Sequence, residues 1–364
     1  MISVSRLVKG KTESGDSVRF SGDSNYPKVL VFNVTRNCNL RCSHCYSSSG
    51  MDHFDDLDIE YWLRAVKEAA DMGVKHILLS GGEPLARPDI DIIAKEAYDL
   101  GITVELSTNG TMLKGKLDKL KKYISYVGIS LDGPEVVHDS FRGVQGAFKK
   151  TMEGIRYSRE LGLKTGIRFT ITAKNYSYVD LALDIVKREG LQRICFYHLG
   201  YAGRATRNLD IDNNKRLKIV SHIIDEAKHA DFEVLTADNP VDGVLIYHIT
   251  RDDKVLDLLR RNGGNRSGER IADISPNGDV YPDQFTPVKM GHISELRKIW
   301  DEPSDVLVKL RKRKEYLKAC SSCPFLDICN GGLRGRALAM GDFWGKDPSC
   351  YLQEIRRTFY DNNS

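Results

Sequence analysis

Between residues 29 and 205 the chain repeats one pattern six times. A short apolar, β-branched run is followed by a polar turn and then by an amphipathic stretch at helical spacing. KVLVFNVT (28–35) leads to IEYWLRAVKEAADMG (59–73), and KHILLSGGEP leads to DIDIIAKEAYDLG. ITVELSTNG precedes a short helix around 114–122, and YVGISLDG precedes AFKKTMEGIRYSRELG. LKTGIRFTIT is followed by YVDLALDIVKREG, and QRICFYHLGYAG closes the series. Strand–helix alternation of this kind predicts parallel βαβ units with right-handed crossovers. The expected fold class is therefore α/β. Six units make a partial, open (β/α)6 TIM-type barrel, with a small C-terminal cysteine-bearing domain behind it.

The polar signals all follow strands: the loop after residue 35, GGEP, STNG, SLDG and HLGYAGR. In a barrel of parallel strands that is the face where sites assemble. Four regions follow: an N-terminal arm (1–28), the barrel (29–205), a helical connection (206–268) and the auxiliary domain (269–364). In the last, ERIADISPNGDVYPDQF (269–285) predicts a hairpin turning at Asn277-Gly278.

Eight cysteines divide into two groups and a singleton. Cys195, in ICFY, reads as a small buried hydrophobe. Cys38, Cys42 and Cys45 form C-x3-C-x2-C with no fourth cysteine nearby. Zinc favours paired C-x2-C clamps with four protein ligands. Three thiolates in a tight loop suit a [4Fe–4S] cluster with one iron left open, though a zinc loop or a free-thiol group shares the composition. Cys320, Cys323 and Cys329 form C-x2-C-x5-C, with Cys350 further on, and these four thiols suit zinc or a second [4Fe–4S] cluster.

The cysteine loop with SGGEP one βα unit later resembles the radical S-adenosylmethionine superfamily. The resemblance implies that Cys38, Cys42 and Cys45 hold a catalytic [4Fe–4S] cluster, and that Gly81, Gly82 and Glu83 hold the amino group of S-adenosyl-L-methionine. It implies that Tyr46 borders the adenine and that Ser107, Asn109 and Ser130 stand at the ribose level. Arg168 is the expected partner of the cofactor's carboxylate, because a guanidinium grips it bidentately. Asp132 either contacts the sugar or fixes its loop. The C-terminal cysteines resemble the SPASM extension in its shortened, twitch form, with one auxiliary [4Fe–4S] cluster.

MISVSRLVKG, YVGISLDGPEVVHDSFRG, FYHLGYAGRA, EVLTADNPVDGV and the ending from Cys323 to Leu352 narrow the resemblance to the haem-biosynthesis branch. The members most similar remove two acetate side chains from 12,18-didecarboxysiroheme. Others in the branch make the haem d1 precursor or oxidatively decarboxylate two propionates of Fe-coproporphyrin III. The stretch from Phe20 to Pro27 is shorter than the insert often found before the cysteine strand in the acetate-removing enzymes.

The implied partners are an iron-tetrapyrrole substrate and a reductant such as a flavodoxin or ferredoxin. An anionic macrocycle calls for cationic clamps and aromatic walls. The candidates are Arg142, Arg204, Arg334 and Arg336 as clamps and Phe196, Tyr197, Tyr201, Phe343 and Trp344 as walls. Plain surface charge and core packing are their simpler uses. His198 and Arg204 are the candidate catalytic residues; His44 and His138 are also to be watched.

Lys+Arg 54 against Asp+Glu 50 gives a net charge of +4, too mild to point to nucleic acid. No signal peptide or membrane-spanning run is read, so the expected location is cytoplasmic. Two other classes explain part of the pattern. A peptide maturase usually carries an N-terminal peptide-binding module, for which a 28-residue arm is too short. An iron–sulfur scaffold accounts for the thiols but not for the polar strand ends.

Overall fold

The computed structural model describes residues 1–10, 25–52 and 56–359. Most of the stretch from Phe20 to Pro27 and part of the N-terminal arm lie outside these residues.

The six runs read from sequence form β2 (Val29–Asn33), β3 (His76–Ser80), β4 (Thr103–Thr108), β5 (Ile124–Ser130), β6 (Thr165–Ile171) and β7 (Arg193–His198). All are parallel to their neighbours in chain order. The helices between them include Ile59–Asp71, Ile90–Asp99, Ala147–Glu160 and Val179–Arg188. Strand residues alternate sharply. Leu30, Phe32, Ile77, Leu79, Leu106, Ile129, Ile167, Phe169, Ile194 and Phe196 are buried under the helices. Each such side chain contributes about 1.5–3 kcal/mol of apolar burial. Their alternate neighbours, from Val31 through Leu78, Ser107 and Arg168 to Tyr197, line one shared cavity. Successive side chains of a strand point to opposite faces, so the sheet must curl around that cavity.

The sheet is larger than six strands. The stretch 206–268, read as helices, also contains β8 (Glu233–Ala237), parallel to β7. β1 (Ile2–Ser3) pairs antiparallel with β8, and Ser5 Oγ accepts from Val234 N–H at 3.1 Å. The N-terminal residues thus cover an edge that would otherwise expose unpaired backbone groups. On the other edge β9 (Ile271–Ile274) lies parallel to β2, and β10 (Asp279–Tyr281) and β11 (Gly291–His292) follow antiparallel. The expected hairpin is present, as β9 and β10. The described residues form one 11-stranded sheet in the order β1-β8-β7-β6-β5-β4-β3-β2-β9-β10-β11. Among the described residues, no helix is long and apolar enough to cross a membrane.

Candidate active site

The cysteine loop leaves β2 at the carboxyl end of the barrel and is fastened mainly by its backbone. Cys38 N–H donates to Gly50 O at 2.8 Å, closing the loop on itself. Arg41 N–H reaches Arg142 O (3.0 Å) and Ser43 N–H reaches Phe141 O (2.8 Å). From the opposite side Arg204 donates through Nε to Cys42 O and through a terminal nitrogen to Ser49 O, both at 2.7 Å. Its own N–H donates to Cys45 O at 2.9 Å.

The GGEP turn is the third fastening. Gly82 N–H donates to Thr35 O (2.8 Å) and Glu83 N–H to Asn37 O (3.0 Å). A Cβ on Gly81 would stand 2.5 Å from Thr35 O, and one on Gly82 would stand 2.4 Å from Asn37 O. Only glycine permits so close an approach. Both glycines also line the cavity, so the same turn serves the loop and the site.

The donor set fits an iron–sulfur cluster. All eight cysteines are free thiols. Donors are aimed at the loop sulfurs: Leu40 N–H at Cys38 Sγ (3.4 Å), Asn109 Nδ2 at Cys38 Sγ (3.9 Å) and an Arg142 guanidinium nitrogen at Cys42 Sγ (3.6 Å). Such donors stabilise a thiolate. Burial, with Glu83 nearby, pushes the Cys38 thiol up to about 12, so metal binding is what removes its proton. Among the described residues no three His, Cys, Asp or Glu side chains converge as a single ion requires. A four-iron cubane presents a separate iron to each thiolate, so its ligands stand further apart than those of one zinc ion.

The cavity over this loop has a volume of about 270 Å³ and is lined from every strand between β2 and β9. Tyr46, Gly81, Gly82, Ser107, Asn109, Ser130 and Arg168 all line it. Tyr46 OH donates to Asn33 Oδ1 (2.7 Å) and accepts from Gln284 Nε2 (3.2 Å), while its ring meets Phe285 edge-on at 5.6 Å. The C-terminal domain therefore helps to hold Tyr46. The Arg168 guanidinium lies 4.4 Å from the centre of the Tyr197 ring, a cation–π contact inside the cavity. Asn109 also builds a turn, its Oδ1 accepting from Thr111 N–H at 2.9 Å.

Glu83 stands behind the cavity wall and is fully buried. Its carboxylate accepts from Thr108 Oγ1 (2.8 Å), Asn109 N–H (2.9 Å) and Leu85 N–H (3.1 Å). Burial raises its pKa to about 7, opposed by these same hydrogen bonds. The side chain ties the ends of β3 and β4 together beneath the loop.

Asp132 fixes its surroundings: it accepts from Arg142 Nε at 2.7 Å, with His44 and His138 each 3.6 Å away. Burial pushes both histidines down to about 4, so they are neutral near pH 7. His198 borders the cavity, yet both ring nitrogens are engaged. Nδ1 accepts from Arg216 (2.7 Å) and Nε2 donates to Asp242 (2.8 Å), which also accepts from Tyr351 OH at 2.6 Å. Neither nitrogen is available as an iron ligand in this arrangement.

Other expected clamps have different work. Arg334 and Arg336 are completely buried rather than surface charges. Arg336 grips Asp347 through two nitrogens, both at 2.9 Å, and donates to Leu199 O (3.1 Å) and Asp238 O (2.5 Å). It thereby locks the C-terminal domain onto the ends of β7 and β8. Phe196 belongs to the outer core against Phe169. Tyr197 alone of the suggested aromatic walls borders the cavity; Phe343 and Trp344 stack on each other elsewhere. Asp347, Arg216 and Asp242 escaped the sequence reading, since their partners stand 11, 18 and 44 residues away and no motif spacing marks such pairs. The segment DPSC, with an acid three residues before a cysteine, was the one hint at Asp347.

Cys320, Cys323 and Cys350 each act electrostatically on the Cys329 thiol, which brings the four together in this domain. Gly331 N–H donates to Cys329 Sγ at 3.4 Å. Burial raises Cys329 to about 12, the same protonation problem that a bound metal solves in the first loop.

Comparison with known proteins agrees with this layout. Residues 32–194 match the radical SAM superfamily, and residues 266–324 match the SPASM iron–sulfur cluster-binding domain. The chain is 36% identical to Fe-coproporphyrin III synthase of Methanosarcina barkeri, across 99% of this chain and 100% of that one. It is 35% identical to pre-heme d1 synthase of Dinoroseobacter shibae, across 89% and 86%. AdoMet-dependent heme synthase of Methanosarcina barkeri is 28% identical across 90% and 97%. Among solved structures, Streptococcus suis SuiB bound to S-adenosylmethionine superposes with a TM-score of 0.72 at 21% identity, covering 90% of this chain and 77% of that one.

Proposed function

This chain belongs to the radical S-adenosylmethionine family and is homologous to its haem-biosynthesis enzymes, and we propose that it removes two acetate side chains from 12,18-didecarboxysiroheme to give Fe-coproporphyrin III. The observation that carries the reading is the end-to-end match to a Fe-coproporphyrin III synthase, joined to a thiol-bearing cavity at the carboxyl ends of the barrel strands.

Cys38, Cys42 and Cys45 would hold a [4Fe–4S] cluster, which when bound and reduced would supply the one-electron chemistry for reductive cleavage of S-adenosyl-L-methionine. The chain's own residues set the geometry. Arg204, Phe141 and the GGEP turn hold the loop. Ser107, Asn109 and Ser130 present polar groups to the nucleoside, and Tyr46 walls it. Arg168, braced on Tyr197, receives a carboxylate. The cavity walls built from the strand ends would position the reacting carbons and exclude water. The reductant is an acidic low-potential carrier, and the working location is the cytoplasm.

The test is product mass. Anaerobically reconstituted enzyme should shed two acetate fragments from 12,18-didecarboxysiroheme and leave Fe-coproporphyrin III unchanged. Propionate loss from the first substrate would instead assign the haem d1 branch, which the 35% identity to a pre-heme d1 synthase supports as the second reading. Vinyl formation on Fe-coproporphyrin III would assign haem synthesis.

A further inference from the structure

Asp238, in EVLTADNPVDGV (233–244), is a carboxyl outside the hydrogen-bond networks described above. β8 ends at Ala237, and Asp238 follows with φ at +66°, a left-handed conformation that few residues other than glycine adopt. The turn is held from the C-terminal domain. Arg336 donates to Asp238 O at 2.5 Å, and Asn239 Nδ2 donates to Ser349 O at 2.8 Å. Two such fastenings on neighbouring residues keep an uncommon backbone conformation in place.

Asp238 borders two spaces. One is the catalytic cavity. The other has a volume of about 60 Å³, room for a few water molecules, and is lined by Asn239, Asn262 and Gly264 among others. Met1, Ala237 and Asp238 line both, and of these only Asp238 has an acidic side chain. Met1 is exposed and Asn262 and Gly264 are half-buried, so the second space lies near solvent. Among the described residues no hydrogen bond reaches the Asp238 carboxyl; charges act on it instead. Enclosure by protein raises its pKa above the ordinary carboxyl value, a rise opposed by the Met1 amino group, Arg336 and Arg168 and helped by Asp283. Other titratable groups at the catalytic cavity differ. Tyr46 gives its proton to Asn33, and both His198 nitrogens are bonded. Glu105 lines the catalytic cavity but not the second space.

We propose that Asp238 is a catalytic acid, protonating the carbon of the departing side-chain fragment and regaining its proton from water in the second space. The proposal rests on the deacetylase reading. Hydrogen abstraction at a neighbouring ring carbon leaves an unpaired electron there. The bond between the ring and the acetate methylene then breaks homolytically. One electron of that bond pairs with the ring radical to complete a double bond, and the other leaves with the fragment. The fragment, a carbon radical bearing a carboxylate, takes one electron from a low-potential one-electron carrier, which is oxidised. It takes one proton from Asp238 and departs as acetate. Solvent returns a proton to the Asp238 carboxylate through the second space, so water serves the acid without entering the reaction space.

The experiment runs the reconstituted full chain in D2O with S-adenosyl-L-methionine, 12,18-didecarboxysiroheme and a chemical reductant, and reads the mass of the released acetate. Wild type should release acetate carrying one solvent deuterium. Its rate should fall as pH rises through the raised pKa of Asp238, since the acid works only while protonated. Asp238→Asn, which suits the left-handed turn, should keep wild-type iron content and still form 5′-deoxyadenosine, while acetate release falls by about a hundredfold. The residual release should lose that limb of the pH profile. Acetate free of deuterium from wild type overturns the proposal. So does a wild-type rate of release in Asp238→Asn, or a fall with pH that persists unchanged in it. The deuterium content and the wild-type pH profile need no variant, so they decide even where Asp238→Asn loads iron poorly. If wild type releases no acetate, the deacetylase reading fails and this step falls with it. Loss of the deuterium or of the dependence on Asp238 leaves that reading standing.

Discussion

The two cysteine sites solve opposite problems with the same ligand. The catalytic loop gives its backbone carbonyls to Arg204 and its amide hydrogens to Phe141 O, Arg142 O and its own Gly50 O, and is sunk in the barrel mouth. The auxiliary site sits on short helical turns with exposed residues between its first two cysteines. The comparison teaches that the first site is built to fix one geometry and shield it. The second keeps exposed chain around its first two cysteines, while staying locked to the barrel through Arg336 and Asp347.

The largest effect that tests this contrast is loss of a catalytic thiol. Cys38→Ala should abolish 5′-deoxyadenosine formation under reducing conditions, whereas Cys350→Ala should keep a measurable rate and lose about half of the bound iron, read by iron assay. Equal loss of deoxyadenosine in both would erase the distinction. Next comes Gly82→Ala, whose Cβ would meet Asn37 O at 2.4 Å. It should cost about 3 kcal/mol locally and show as poor iron loading of the first site with the second intact. Arg204→Lys retains the charge but cannot bridge Cys42 O and Ser49 O together. It should lower cofactor cleavage by about tenfold, in keeping with one lost charge-assisted hydrogen bond of about 1.5–3 kcal/mol.

The smallest effect concerns His138, buried neutral and pushed down from 6.5 to about 4. A histidine held neutral when folded gains a proton on unfolding, so its part of the stability is present above pH 6.5 and is lost as pH falls toward 4. His138→Phe loses the acceptor for Asp132 N–H and should be less stable at pH 7 by about 1 kcal/mol. That deficit should shrink between pH 6.5 and 4 in apo-protein melts. A deficit independent of pH would remove His138 from the titrating set.

Much of this was legible in the sequence because it is local. Each barrel strand is an apolar β-branched run and each helix keeps its period, so the alternation is readable without knowing any contact. The C-x3-C-x2-C loop and GGEP are contiguous words. β8 was missed because EVLTA is five residues long and lies among helical segments; only its pairing with β7 and β1 makes it a strand. Arg334 and Arg336 looked like surface cations because a buried arginine is betrayed only by its acceptors. Those acceptors, Leu199 O, Asp238 O and Asp347 for Arg336 and Phe343 O and Gly345 O for Arg334, are brought together by the fold. Arg204 reads as a substrate clamp from its place just past the sixth strand-like run of the sequence, which is β7. Its position was right to notice, but its hydrogen bonds go to the loop.

The parallel pairing of β2 with β9 carries one more implication. Val29–Phe32 is bonded on one side to the barrel and on the other to Ile271–Ile274 of the auxiliary domain. Swinging that domain aside would tear a ladder from the very strand that leads into the catalytic cysteines. The β2–β9 ladder therefore leaves no free hinge at this seam, and whatever enters the cavity has to do so without parting the two regions there.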